Sequence, residues 1–190
     1  MPYLTCESCG LRTYAVSEGT CPSCGTGLRR PVPPAGPRPA RPGHDGQLSE
    51  SDRGSGRIAA QLAMACRELD ADTALLSEIR AGHEYVRWGA GEDGFVGLAV
   101  PLHDTVCERL LDGRIGPVVS DTTLEPSLNE LEGVCNGTIR AYIGVPFETD
   151  RARAYVLCCL AREARPDLGE ADVRFLQGVA ESLRPLLEPS

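Results

Sequence analysis

The sequence predicts an α+β fold: an antiparallel sheet flanked by helices, with a small N-terminal zinc ribbon attached through a flexible linker. Three observations lead there. Two CxxC pairs open the chain, a Pro/Gly-rich stretch follows, and the remaining residues alternate helical with strand-like apolar periodicity. The expected boundaries are residues 1–28 for the ribbon, 29–54 for the linker and 55–190 for the larger domain.

The ribbon rests on the pattern C-E-S-C, eleven intervening residues that begin with Gly10, then C-P-S-C-G. Cys6, Cys9, Cys21 and Cys24 thereby supply four thiolates in two pairs, the donor set that zinc takes up as a tetrahedron. Gly10 and Gly25 follow the second cysteine of each pair, where a tight turn around a thiolate favours positive φ. Leu11 to Val16 reads as a short strand between the two turns. A module this short cannot hold itself together by burial, since domains under roughly 40 residues usually need a metal or disulfides. A redox CxxC pair and a rubredoxin-type iron site use the same residues, but a thioredoxin-like motif accompanies a βαβ unit that is absent here. Four protein ligands leave no open position, so the zinc is expected to be structural.

Residues 29–54 (RRPVPPAGPRPARPGHDGQLSESDRG) contain almost no large apolar side chain and are expected to be disordered, partly polyproline II. Charge is distributed unequally about them. The first 53 residues carry six arginines against five acids, whereas the rest carry thirteen against twenty-two. A net charge of −8 argues against binding nucleic acid or an anionic membrane through the whole surface. No run has the form of a signal peptide or approaches the ~20 apolar residues of a membrane span. Nine cysteines in that context point to a reducing, cytoplasmic setting.

In the larger domain, Ile58, Leu62, Ala65, Cys66 and Leu69 recur at helical spacing. Thr73–Ile79 and Glu84–Trp88 read as a hairpin across Ala81-Gly82-His83, and Leu98–Leu102 as a third strand. Thr105–Leu111 suits a short helix, Pro117–Ser120 a strand and Pro126–Leu131 a looser helix. Ala141–Phe147 and Ala154–Leu160 form an antiparallel hairpin expected at the sheet centre. A final helix spans residues 170–187, with Val173, Leu176, Val179, Ala180, Leu183 and Leu187 on one stripe and Glu170 and Asp172 in its first turn.

Val100-Pro101-Leu102, Val106-Cys107, Val118-Val119-Ser120-Asp121, Ala141-Tyr142-Ile143-Gly144-Val145-Pro146 and Leu157-Cys158-Cys159 follow one another at spacings that resemble GAF domains. The likeness is to the subgroup with a YIGVP strand followed by one ending in LCC, and it covers residues 55–187. It implies a module that holds a small molecule, such as a cyclic nucleotide, bilin or haem, between the sheet and its short-helix face. It also implies dimerisation through the first and last helices. The chain departs from particular subgroups. Cys135 is followed by Asn136 rather than the His of bilin attachment, and no cyclic-nucleotide signature is present. The cysteines of GAF-type methionine sulfoxide reductases do not map onto Cys107, Cys135 and Cys158.

The resemblance makes Trp88, His103, Cys107, Asp121, Tyr142 and Gly144 the candidate ligand-binding residues, and each also has a plainer reading. Asp121 suits a cap or Asx-turn. Cys107 suits a small buried apolar side chain, as do Cys158 and Cys159 on opposite faces of one strand. Gly144, on the same face as Tyr142, admits either a ligand or a crossing helix. His103 lies where such pockets open, and Trp88 at a strand end. No residue is assigned a catalytic role.

The expected protein is a cytoplasmic, non-enzymatic regulator. Its GAF-like domain senses a small molecule or mediates homodimerisation, and its zinc ribbon contacts a protein partner; neither nucleic acid nor membrane is expected. Two alternatives use the same residues. A thiol-based redox sensor needs an exposed cysteine of lowered pKa. A nucleic-acid-binding transcriptional regulator, acting through the ribbon, needs steeply salt-dependent binding.

Overall fold

The computed structural model describes residues 3–6, 12–14, 28–29, 50–91 and 94–188, with side chains from residue 54 onward. Three short strands open the chain: β1 (Tyr3–Cys6), β2 (Arg12–Tyr14) and β3 (Leu28–Arg29), with β1 antiparallel to both others. Of the four expected zinc ligands, Cys6 ends β1, while Cys9, Cys21 and Cys24 lie outside the described residues. So do residues 30–49, most of the expected linker.

Helix α1 (Glu50–Glu68) begins inside the segment expected to be linker. Gly54 and Gly56 argue against helix by propensity, at about 1 kcal/mol each. They are outweighed by the apolar stripe of the turns that follow, since Ile58, Leu62, Ala65, Cys66 and Leu69 are all buried. Strands β4 (Thr73–Arg80) and β5 (His83–Gly91) form the expected hairpin. Their two-residue turn, Ala81-Gly82, has positive φ at both positions, the geometry that matches the twist of the flanking strands. Next comes β6 (Leu98–Pro101), after which Leu102 opens a 3-10 turn instead of ending the strand. Thr105 caps α2 (Val106–Leu111) by accepting from the Glu108 N–H.

β7 (Val118–Val119) is only two residues long. Of the helix expected over Pro126–Leu131 only a 3-10 turn, Pro126–Leu128, forms, and α3 (Glu132–Cys135) begins just beyond it. β8 (Ala141–Glu148) and β9 (Ala154–Ala161) pair over their whole length, and α4 (Glu170–Leu187) closes the fold.

The sheet order is β3-β1-β2-β6-β5-β4-β9-β8-β7. The six strands of the larger domain are antiparallel throughout, and β2 joins them by parallel pairing with β6. β9 lies at the centre of those six beside β4, and β8 one place in from the β7 edge. One face carries α1 and α4 over Leu76, Ile143, Val145 and Leu157. The other carries α2, the 3-10 turns and α3 over Leu75, Val86, Tyr142, Val156 and Cys158. Strand residues are therefore buried on both faces.

Removing side-chain volume at the centre should expose that dependence. Leu157→Ala is expected to lower the unfolding free energy by about 2–5 kcal/mol in urea titrations, whereas Val96→Ala, at a position 49% exposed, should shift it little.

Candidate functional site

The face under α2 is apolar except at its middle, where five elements each bring one polar side chain. The Ser77 hydroxyl (β4) donates to Glu84 Oε1 (β5) at 2.7 Å, and the Cys107 thiol (α2) reaches the same oxygen at 3.5 Å. Cys107 Sγ also lies 3.6 Å from the Tyr142 hydroxyl (β8). Cys158 (β9) is buried in the same cluster as Cys107 and raises its thiol pKa. All five side chains are buried.

Burial sets the protonation of this cluster. It raises the Glu84 carboxyl above the ordinary value, and hydrogen bonds from Ser77 and Cys107 oppose the rise. Hydrogen bonding to Cys158 and then burial push the Cys107 thiol well above its usual range, and burial raises the Tyr142 phenol well above its own. Thiols held protonated are poor nucleophiles. The Cys107 thiol and the Tyr142 phenol are suited to offering hydrogen bonds as neutral groups.

Of the expected binding residues, the structure brings Cys107, Tyr142 and Gly144 together. The room that Gly144 leaves is taken by its own strand, because the Tyr142 ring lies over it and an added Cβ would collide with the phenol. His103 sits apart, its side chain 72% exposed on the 3-10 turn before α2 and its Nε2 3.4 Å from Asp104 Oδ1. It lines an open basin of about 430 Å³ together with Asp104, Glu108, Arg109, Arg114, Glu130 and Leu131.

Asp121 is fully engaged. It caps the 3-10 turn Thr122–Leu124 through the Thr123 N–H and grips Arg140 through both oxygens, at 2.7 and 2.9 Å. Those contacts, Arg140 foremost, hold its carboxyl far below the ordinary range. Trp88 packs on the opposite face, against the α1–α4 core. Strict alternation would place it with Glu84 and Val86. However, Leu76 pairs with Trp88 and Ser77 with Val86, so Arg87 is an extra residue on β5, and the resulting β-bulge turns Trp88 over.

Three further residues matter at this site. Ser77 and Glu84 complete the cluster, and their signal in the sequence is a polar residue at an inward position of an otherwise apolar strand. Arg109 is the third, with a side chain 4% exposed. It donates to the His103 carbonyl at 2.9 Å, the Ser127 carbonyl at 3.2 Å and Glu130 Oε1 at 2.8 Å, and also pairs with Glu108. It straps α2 to the turns on either side. Among the cysteines whose side chains are described, Cys66, Cys107, Cys158 and Cys159 are buried and Cys135 is exposed, its thiol donating to the Asn129 carbonyl at 2.9 Å. Burial raises Cys66 and Cys159 as well, the latter strongly.

Solved structures share this architecture. The GAF domain region of a putative membrane protein from Geobacter sulfurreducens PCA aligns with TM-score 0.58 at 19% identity, over 73% of this chain and 95% of that one. The blue-light-absorbing form of the Thermosynechococcus elongatus PixJ GAF domain aligns with TM-score 0.57 at 17% identity, over 75% and 89%. The fold is that of GAF domains. A free methionine-R-sulfoxide reductase from Neisseria meningitidis, solved in complex with its substrate, shares it too, with TM-score 0.55 at 16% identity over 70% and 77%. No protein-family model matches the chain, and no curated protein does. In GAF terms, the Ser77–Glu84–Cys107–Tyr142–Cys158 cluster lies between the sheet and the short-helix layer.

Two measurements test this geometry. Because Glu84 titrates above 4.5 when folded, the native state keeps a proton that the unfolded chain releases. Stability should therefore fall as pH rises from 4.5 through the folded pKa. Glu84→Gln should abolish that component, so that its urea midpoint declines less than the wild type's between mildly acidic and neutral pH. Gly144→Ala should cost about 1–3 kcal/mol through overpacking against Tyr142, read by the same titration.

Proposed function

We propose that this chain is a non-enzymatic regulatory protein. Its GAF-fold domain receives a small molecule between the sheet and the α2–α3 layer, and its N-terminal module, folded by zinc on Cys6, Cys9, Cys21 and Cys24, contacts a protein partner. The buried polar cluster carries this reading. Polar groups in a core cost free energy that apolar side chains of the same size would avoid, and groups with displaced pKa values cluster at functional sites. The cluster sits on the face where the resemblance places GAF ligands, and the Neisseria meningitidis neighbour was solved with its substrate bound.

Entry to the cluster requires α2 to move, and the Arg109 strap is the group that resists it. Self-association through α1 and α4 fits their outward faces, where Gly56, Ala59, Ala60 and Gly178 are exposed and leave low relief. No helix among the described residues is long and apolar enough to cross a membrane. The redox alternative is disfavoured at four of the five cysteines beyond the ribbon by their burial, and a thiol-reactive role would fall to Cys135.

Native mass spectrometry of the full chain purified from its own host tests the reading as a whole. The expected species is a dimer with one zinc per chain and a retained small molecule. Removing that molecule should lower the melting temperature, and adding it back to Glu84→Gln should restore less stability than in the wild type. A metal-free monomer that retains nothing would overturn the proposal.

A further inference from the structure

The two ends of the domain's sheet are protected differently. β7 is two residues long and follows Pro117, so it offers little backbone to pair with. β6 runs Leu98-Ala-Val-Pro and contains no charged residue. A bare strand of that composition is the kind that natural sheets shorten, charge or cover. Here the chain covers it itself. β2 lies parallel to β6, with Arg12 opposite Leu98 and Thr13 opposite Ala99. β2 is in turn paired with β1, which also holds β3.

A three-residue strand registered at two positions cannot hold this place alone. Ordering each residue's backbone costs about 1–2 kcal/mol, and a hydrogen bond returns a net ~0.5–1.5 kcal/mol. The cap therefore depends on whatever folds the hairpin beforehand. β1, β2 and β3 total nine residues, too few to fold by burial, and Cys6 closes β1 where the first ligand pair begins. Metal binding by four thiolates supplies the missing free energy.

We propose that the N-terminal hairpin is a metal-dependent cap on the β6 edge: with metal bound, β2 covers Leu98 and Ala99, and without it that edge is exposed. This rests on the zinc reading above and adds a role to it. The zinc module is then seated on the GAF-fold sheet, at the strand that leads through Leu102–Asp104 into α2. A partner that binds the module, or a change that releases its metal, would act on the sheet edge beside the polar cluster.

Hydrogen exchange on the full chain, followed by mass spectrometry, tests the cap. Stripping zinc with phenanthroline should speed exchange in the peptide spanning 97–101 by about tenfold or more, leave 154–160 in central β9 unchanged, and be reversed by added zinc. Thr13→Pro removes a backbone donor from β2; it should give the same fast exchange at 97–101 while its zinc content, measured in parallel, stays at the wild-type value. Zinc bound with β6 exchange indifferent to stripping, or a zinc-replete Thr13→Pro with β6 still protected, would overturn the cap alone. A full chain that binds no zinc would remove the zinc reading and the metal dependence together.

Discussion

The pairing of β4 with β9 is the constraint on which the other elements depend. The two strands are antiparallel from Thr73 opposite Leu160 to Ile79 opposite Ala154. An antiparallel sheet commonly leaves one face to water, but β9 is buried at every residue from Tyr155 to Ala161. Side chains on both faces must then be covered. α1 and α4 cover one, and α2, α3 and the 3-10 turns cover the other. The long terminal helices are rigid, self-supporting layers. The opposite layer is made of pieces of three to six residues, which are marginal as isolated helices and need tertiary fastening. The sheet thus has one side covered by long helices and one covered by short pieces that depend on tertiary fastening.

That asymmetry gives the polar cluster its meaning. Arg109 fastens the weaker layer through two backbone carbonyls and two carboxylates, so α2 and its flanking turns move together if they move at all. Cys107 rides on the same helix as Arg109, and Thr105 caps it. A displacement of α2 would break the hydrogen bonds that Cys107 makes to Glu84 and Tyr142 in one event, leaving a buried carboxyl underserved. On the proposed function, a ligand able to supply those hydrogen bonds stabilises the displaced state, which is the differential affinity that a population shift requires.

Periodicity made the rigid side legible from the sequence. The stripe Ile58–Leu69 and the stripe Leu176–Leu187 are both buried, and Cys158 and Cys159 do face opposite ways, because a 3.6 or a 2.0 repeat is a local property. Features that depend on non-local partners were not legible. The bulge at Arg87 resets the alternation of β5 and carries Trp88 to the far face. Glu84 read as an ordinary strand residue until Ser77, seven positions earlier, was placed against it. Asp121 as a cap was visible from Asp-Thr-Thr, but its grip on Arg140, nineteen residues later, was not. The start of α1 had a local sign inside the Pro/Gly-rich composition that read as linker: Ser49 followed three positions later by Asp52 is a capping-box pattern.

Gly144 shows how much a local feature can mislead when its neighbour is ignored. A glycine on an inward face suggests vacant space, and the strand period correctly puts it beside Tyr142. Two residues apart on one face, however, a long side chain can lie along the strand and fill its neighbour's vacancy, which is what the phenol does. The space beside Gly144 is therefore occupied by the protein's own side chain, and on the proposed function a ligand arriving there would exchange with Tyr142 instead of entering an empty pocket. Its apparent affinity is reduced by the fraction of molecules in which the ring has swung aside. That reduction makes occupancy depend on whatever shifts the closed layer, and a regulatory module needs such a dependence where a simple carrier does not.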